Sequence, residues 1–296
     1  MALRTIWNLL TLEGLRRPRP EVAVLRLSGV IGGVGPLRSG MSLATTELLI
    51  ERAFAVPRLK AVALVINSPG GSASQSALIA KRIRDLAQEK EVPVLAFCED
   101  VAASGGYWLA CAADEIFVQP TSIVGSIGVI TASFGFSDLM EKVGVERRVY
   151  TAGERKAILD PFRPENPEDV ARIRALQDDM HEVFKQMVRD RRGRRLKAGE
   201  DKLFSGEFWA GGKAIELGLA DSEGELRQVL RDRFGKRVRL RRIQGPKRLL
   251  RRLGIGRGRA ETGLPLWVDG LPGPEDWAAG VLSAVEERAL WSRFGL

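Results

Sequence analysis

The chain has 296 residues, of which 45% are apolar and 28% charged, a composition typical of a globular protein and not of a disordered one. Its formal charge of +9 comes from residues 231–259, where 13 lysines and arginines accompany one acid, Asp232. The rest of the chain is slightly acidic, so we expect no nucleic-acid partner. The two cysteines, Cys98 and Cys111, lie in apolar runs without metal-type spacing, which predicts buried thiols in a reducing compartment. We expect no metal and no cofactor.

Residues 1–20 have the pattern of an amphipathic helix, with Leu3, Ile6, Trp7 and Leu10 on one face. We predict an N-terminal arm that either lies on a membrane surface or docks on the protein's own body or on a neighbouring subunit. Its apolar core is too short and too polar for a secretory signal. We also expect no transmembrane helix, because glycines interrupt the longest weakly polar run, at 123–136.

From residue 21 the chain alternates apolar strands, glycine-rich turns and helices. The predicted strands at 22–27, 61–66 and 92–97 are each followed by a glycine-containing turn and a helix, which indicates βαβ units in a parallel sheet covered on both faces. Glycine turns at the carboxyl ends of such strands are where ligands bind. Further along we predict strands at 115–118, within 120–130, at 145–150 and at 238–243, and helices at 138–143, at 168–192, within 205–221 and at 223–234.

Residues 245–296 are predicted to form an appendage, a basic linker followed by a helical tail. The basic segment 231–259 is either a solvated run of charges or a contact with an anionic surface such as lipid. We therefore expect a protein that is cytoplasmic or peripherally associated with a membrane.

The stretch from residue 92 to residue 113 is the strongest candidate for chemistry. It predicts a buried strand, a tight turn at Ser104 and two glycines, and a buried helix. A serine oxygen at this point can attack a carbonyl group while N–H groups at the start of the helix hold the resulting oxyanion. From this stretch alone, however, an ordinary helix N-cap is the commoner role for such a serine.

A nucleophilic serine needs a base, and the chain has one histidine. That residue, His181, lies within the long amphipathic helix predicted at 168–192, and we expect it on the helix surface. Lysine is the alternative base. A lysine that acts as a base must lose its proton, which burial favours and an adjacent carboxylate opposes.

Several motifs, in this order, resemble the bacterial signal peptide peptidase family of serine–lysine peptidases. They lie at residues 67–71, 101–108, 125–129, 153–156 and 205–219, and the similarity runs from about residue 22 to residue 243. The resemblance implies one α/β peptidase domain at 21–244 with a Clp/crotonase-like fold, a spiral of repeated ββα and βαβ units. The domain would carry helical N- and C-terminal appendages, at 1–20 and 245–296, and would assemble into a homo-oligomeric ring or dome.

The same resemblance implies a role for each matching residue. Ser104 is the nucleophile, Lys156 is its general base, and Ser126 hydrogen-bonds the lysine Nζ and so positions it. The backbone N–H groups of Gly71 and Gly105 form the oxyanion hole, although the sequence leaves Gly70 open as an alternative to Gly71. The implied activity is serine endopeptidase cleavage of short hydrophobic peptides, such as remnant signal peptides, through an acyl-enzyme.

Two other functions stay open from the sequence. The first is an acyl-CoA hydratase or isomerase on the same superfamily fold, which would use the oxyanion amides together with carboxylate acid and base residues. The second is a non-enzymatic membrane-associated scaffold that binds lipid through residues 1–20 or 231–259. The chain also departs from typical family members, because its N-terminus shows an amphipathic arm where they have a membrane anchor.

Overall fold

The computed structural model describes residues 19–33, 40–153, 155–244, 285 and 288–296. Residues 1–18 of the arm predicted at 1–20 and most of the tail predicted at 245–296 lie outside the described residues. The strands within the described residues are β1 (Glu21–Ser28), β2 (Leu59–Ser68), β3 (Val94–Ala103), β4 (Glu115–Val118), β5 (Ile123–Gly125), β6 (Phe208–Ala210), β7 (Ser222–Glu223) and β8 (Arg239–Arg242). The helices are α1 (Leu43–Phe54), α2 (Ala73–Glu89), α3 (Gly105–Ala110), α4 (Ser137–Val143), α5 (Pro167–Arg192), α6 (Glu200–Leu203), α7 (Gly211–Glu216) and α8 (Leu226–Phe234), with a 3₁₀ turn at Gly193–Arg195.

The strands form one sheet in the order β6-β5-β3-β2-β1-β8, with β4 beside β3 and β7 beside β4. All pairings are parallel except that of β5 with β6. Alternate residues of β2 enter different apolar clusters, since Leu64 packs with α1 and α2 while Val65 packs with α8. The sheet is therefore covered on both faces, and the predicted α/β class is confirmed.

Strand β3 changes partners along its length. Its first half pairs with β2 and β4, whereas its last three residues, Val101 to Ala103, pair with β5. The β2–β3 register also shifts, between Ile66 and Ser68. This bend carries the end of β3 towards β5, so Ser104 leaves the sheet beside Gly125.

One predicted element was wrong, and another was incomplete. No strand forms at 145–150, where Val145 is 57% exposed and Tyr150 is 91% exposed, because none of the described strands pairs with this alternating segment. The turn and helix predicted within 205–221 include a strand, β6, that the sequence pattern did not indicate. Its three residues are fixed by antiparallel pairing with β5, which is a tertiary contact.

The two thiols lie where the sequence predicts. Cys98 and Cys111 are buried and unpaired. Burial raises the pKa of Cys98 to about 12 and that of Cys111 to about 11. Both cysteines are therefore packing residues rather than reactive ones.

Residues 130–163, which we call the extension, follow β5 and include α4. Phe136 stacks on Phe162, with ring centroids 5.6 Å apart, and residues of this segment and the start of α5 enclose a cavity of about 780 Å³. The extension nevertheless leaves many large apolar side chains exposed: Ile130, Phe134, Phe136, Leu139, Val143, Val145, Tyr150 and Phe162. It adds little to the main core.

Behind the sheet, Arg192 at the end of α5 is almost fully buried and binds the turn at 218–221. Its guanidinium donates to the Gly218 carbonyl and to both oxygens of Asp221, at 2.8–3.0 Å. Burial of Asp221 is the largest influence and opposes ionisation, but the hydrogen bonds from Arg192 and from the Ile116 N–H, together with the charges of Arg192 and Arg195, outweigh it in sum and hold the pKa of this carboxyl below its ordinary value. In the same turn the Leu219 carbonyl accepts a 2.8 Å hydrogen bond from the Tyr107 hydroxyl of α3.

We predict that Arg192→Met lowers the free energy of unfolding by about 3 kcal/mol, because the Gly218 carbonyl loses the guanidinium and the half-buried Asp221 carboxylate keeps only the Ile116 N–H and a 3.5 Å contact with Arg195. Urea denaturation of the full chain measures this change. The control is Lys213→Met, which breaks an exposed pair with Glu216 and should cause no measurable loss. Equal effects of the two substitutions would contradict the prediction.

Candidate active site

The backbone reverses at Ser104, between β3 and α3. Ser104 has φ 51° and ψ −121°, a conformation that residues other than glycine rarely adopt. Its N–H donates to the Gly125 carbonyl at 2.8 Å, and its carbonyl accepts from the Trp108 N–H at 3.0 Å. Its hydroxyl makes no capping hydrogen bond. The ordinary N-cap alternative therefore does not describe Ser104, whose side chain stays available at a strained strand-to-helix turn.

Two glycines let the preceding loop pack against this turn. A Cβ on Gly70 would lie 2.8 Å from the Cβ of Ser104, and Gly70 has φ +103°. A Cβ on Gly106 would lie 2.4 Å from the Ser68 carbonyl oxygen. Both distances are shorter than real Cβ contacts, so the glycines in the motifs at 67–71 and 101–108 are required by the approach of one loop to the other.

Two backbone donors lie beside Ser104. The Gly70 N–H donates to the Ser68 hydroxyl at 3.2 Å, whereas no described residue accepts from the N–H of Gly71 or of Gly105. Gly71, Ser104 and Gly105 line the same cavity. Amides arranged in this way can donate to an oxyanion that forms on a carbonyl attacked by Ser104.

Ser126 lies at the end of β5, next to the Ser104 turn. The pairing of β3 with β5 places Ala103 opposite Gly125, and the Ser126 N–H donates to the Glu207 carbonyl at 2.6 Å. Ser126 is buried and, like Ser104, has a positive φ, of 54°. Its hydroxyl makes no hydrogen bond to a described residue and is available to a further partner.

The cavity at Ser104 has a volume of about 420 Å³. Trp108 and Phe184 stack in its wall with ring centroids 4.8 Å apart. The other described apolar side chains that line it include Val129, Ile130, Met180 and Leu290. No carboxylate is among the described lining residues, so the acid and base groups that a hydratase or isomerase needs are not found there.

The structure does not bring Lys156 to this cavity. Lys156 is exposed in a turn of the extension, where its N–H donates to the Gly153 carbonyl at 3.2 Å. It is not one of the described residues that line the Ser104 cavity, and its amine has no hydrogen-bond partner among the described residues. Thus Ser104, Ser126, Gly71 and Gly105 come together, while Lys156 stands apart.

Sequence reasoning missed the contacts of two parts of the chain. His181 is half-buried rather than on the open surface of α5, and its Nε2 lies 3.0 Å from the Ile127 carbonyl oxygen, next to Ser126. The end of the chain also reaches the cavity, through Leu290 and Arg293. Nothing local in the sequence signals either contact, because each joins residues more than fifty positions apart.

Comparison with known proteins identifies the family. Residues 86–236, about half of the chain, match the model of peptidase family S49. The chain belongs to peptidase family S49. It is 34% identical over 222 residues to the chloroplastic serine protease SPPA of Arabidopsis thaliana, a match that covers 73% of this chain and 32% of the relative. A putative protease of Synechocystis sp. is 32% identical over 251 residues, which cover 82% of this S49 chain and 86% of the relative.

A protein of Brucella abortus named Na(+)/H(+) antiporter NhaA is 49% identical over 291 residues, which cover 95% of this chain but 38% of the relative. The chain thus spans less than half the length of that relative. Since the alignment leaves out only about a twentieth of the chain, it includes the whole S49 match. Within the described residues, no helix of the S49 chain has the length and apolar character needed to span a bilayer.

Among solved structures, a mutant of a membrane-bound stomatin-specific protease aligns with 78% of the chain and with 100% of its own length, at 14% identity and a TM-score of 0.43. The fold class therefore rests on the strand order described above, a mixed α/β sheet with helices on both faces.

We predict that Gly70→Ala destabilises the S49 chain more than Gly29→Ala does. Both glycines have a positive φ, so alanine strains the backbone at either position, but a Cβ at 29 meets nothing within 4 Å. The clash with Ser104 should add about 1–3 kcal/mol to the loss at position 70, measured by urea denaturation. Equal losses would show that the two loops do not pack as described.

Proposed function

We propose that this chain is a serine endopeptidase in which Ser104 forms an acyl-enzyme. One observation carries the proposal: the Ser104 hydroxyl is held uncapped in a strained turn, beside two backbone N–H groups without acceptors among the described residues. Strain of this kind is maintained where function needs it. Membership of family S49 agrees with the same chemistry.

In the proposed reaction the Ser104 Oγ attacks the carbonyl carbon of the scissile peptide bond, and its proton passes to the base. The oxyanion accepts hydrogen bonds from the Gly71 and Gly105 N–H groups. The carbon–nitrogen bond then breaks, and the base returns the proton to the leaving amine. Water, deprotonated by the same base, attacks the ester and releases the acid, and the proton goes back to Ser104. Gly70 is less suited to the oxyanion role, because its N–H already donates to Ser68.

Lys156 remains our proposal for the base, with the Ser126 hydroxyl positioning its amine. Two features support it: no histidine or carboxylate is among the described lining residues of the cavity, and Ser126 has a hydroxyl without a described partner. Lys156 is exposed in the single chain, whereas burial is what favours the neutral form of a lysine, so the proposed base requires a contact that covers Lys156. We propose that a second copy of the chain supplies this contact in a homo-oligomeric ring or dome, by packing on the exposed apolar side chains of the extension.

The substrates we propose are short hydrophobic peptides, such as remnant signal peptides. The apolar wall of Trp108, Met180 and Phe184 suits such side chains.

We also propose a peripheral contact with an anionic membrane. The part of the basic segment that is described, 231–244, is largely exposed and includes the edge strand β8, whose arginines face the solvent. The Clp/crotonase-like spiral remains a proposal for the finer description of the fold.

We predict that Ser104→Ala abolishes labelling by a fluorophosphonate and lowers cleavage of an apolar fluorogenic peptide by at least about 10³-fold, because the nucleophile is lost. Mass spectrometry of the labelled wild-type chain should place the adduct on Ser104. The control is Ser74→Ala, which removes another hydroxyl of the same cavity and should retain both activities. Unchanged labelling of the Ser104 variant would overturn the proposed nucleophile.

A separate prediction concerns the base. Lys156→Ala should abolish both cleavage and acylation while the oligomeric state, measured by light scattering, stays as in the wild type. Lys142→Ala, which removes another exposed lysine of the extension, should retain activity. Full activity of the Lys156 variant would show that another group takes the proton from Ser104.

A further inference from the structure

The last residues of the chain form one wall of the Ser104 cavity. Residues 288–292 are helical, and Leu290 and Arg293 line the cavity. Phe294 is 8% exposed and packs in one cluster with Val101 and Ala103, the residues of β3 that lead into Ser104. This segment is therefore anchored to the strand that positions the nucleophile.

A second contact fixes the same segment from the other side. The ring of Phe294 meets that of Phe208 in β6 edge-on, with centroids 5.0 Å apart, and Trp291 packs against the Phe294 cluster. Strand β6 pairs with β5, which carries Ser126 at its end. Arg293, next to Phe294, is thus held at a set place relative to both serines of the candidate site.

Arg293 differs in charge from the other described residues of the cavity. They are apolar side chains, glycines, a proline and serines, whereas Arg293 is a cation. Its side chain is exposed and forms no ion pair or hydrogen bond with any described residue. A guanidinium presents paired N–H donors that match the two oxygens of a carboxylate.

We propose that Arg293 is a specificity-determining residue that selects peptides with a carboxylate close to the scissile bond. The inference rests on the proposed peptidase function and narrows its substrates to apolar peptides that also carry a negative charge. The carboxylate belongs either to an aspartate or glutamate side chain or to the C-terminus of the peptide. Both sources offer Arg293 the same two oxygens.

The experiment uses the full chain and three fluorogenic peptides that share one apolar core. The first has an internal glutamate and an amidated C-terminus, the second has glutamine in place of the glutamate, and the third has that glutamine and a free C-terminal carboxylate. The wild-type chain should cleave the first or the third with a kcat/KM about 5- to 20-fold above that for the second. Which peptide gains the preference identifies the source of the carboxylate.

Substitutions then assign the preference to Arg293. Arg293→Gln should reduce the ratio of kcat/KM between the charged and the neutral peptide to about one, and Arg293→Glu should invert it. The matched control is Arg288→Gln, which replaces an exposed arginine of the same helix that does not line the cavity in the described structure, and it should keep the wild-type ratio.

Equal cleavage of all three peptides by the wild type, or an unchanged ratio in Arg293→Gln, would overturn this inference and leave the peptidase assignment standing. Absence of both cleavage and Ser104 labelling in the wild type would overturn the proposed function, and this inference with it.

Discussion

The left-handed backbone at Ser104 is the constraint on which the rest of the site depends. A φ of 51° at a serine costs on the order of 1–3 kcal/mol, so the surroundings must hold it there. The bend of β3 towards β5 brings the Gly125 carbonyl to the Ser104 N–H, and α3 begins at the next residue. Fully burying a side chain such as Leu109 of α3 contributes about 1.5–3 kcal/mol, so the burial of this helix is large enough to offset the strain.

Helix α5 supports this turn from three directions. Phe184 stacks on Trp108 of α3, His181 lies against the Ile127 carbonyl, and Arg192 binds the 218–221 turn. The 218–221 turn also accepts a hydrogen bond from the Tyr107 hydroxyl, which ties α3 to the same turn. Two of these polar contacts thus tie α3 and the residue after Ser126 to other elements, and the two acceptors of the buried Arg192 guanidinium, Gly218 and Asp221, lie in one turn.

The sequence predicts well those strands, helices and turns that a few consecutive residues determine. The turns at Gly70 and at Ser104 could be predicted, because each follows an apolar strand and contains glycine. Both signals, the hydrophobic pattern and the glycine content, lie within a few residues of the turn. Strand β6, the contact of His181 with the Ile127 carbonyl and the cavity wall that includes Arg293 depend on partners far along the chain, so no local pattern contains them. At 145–150 the alternating pattern was present without a neighbouring strand, and the structure has no strand there. The motif at Lys156 indicates a chemical role, but not the surroundings that this role needs.

The two halves of the proposed site differ in how firmly the single chain holds them. Ser104 and the N–H groups of Gly71 and Gly105 lie at the carboxyl end of the buried strand β3 and are already in place in one chain. Lys156 belongs to the extension, whose apolar side chains, among them Phe134 and Tyr150, lie exposed outside the main core. Covering those side chains releases water from apolar surface and at the same time removes water from the amine, which disfavours its charged form. In the proposed mechanism the free energy of assembly and the generation of the base are therefore coupled: a chain that is not covered at the extension keeps a prepared nucleophile without a group to take its proton.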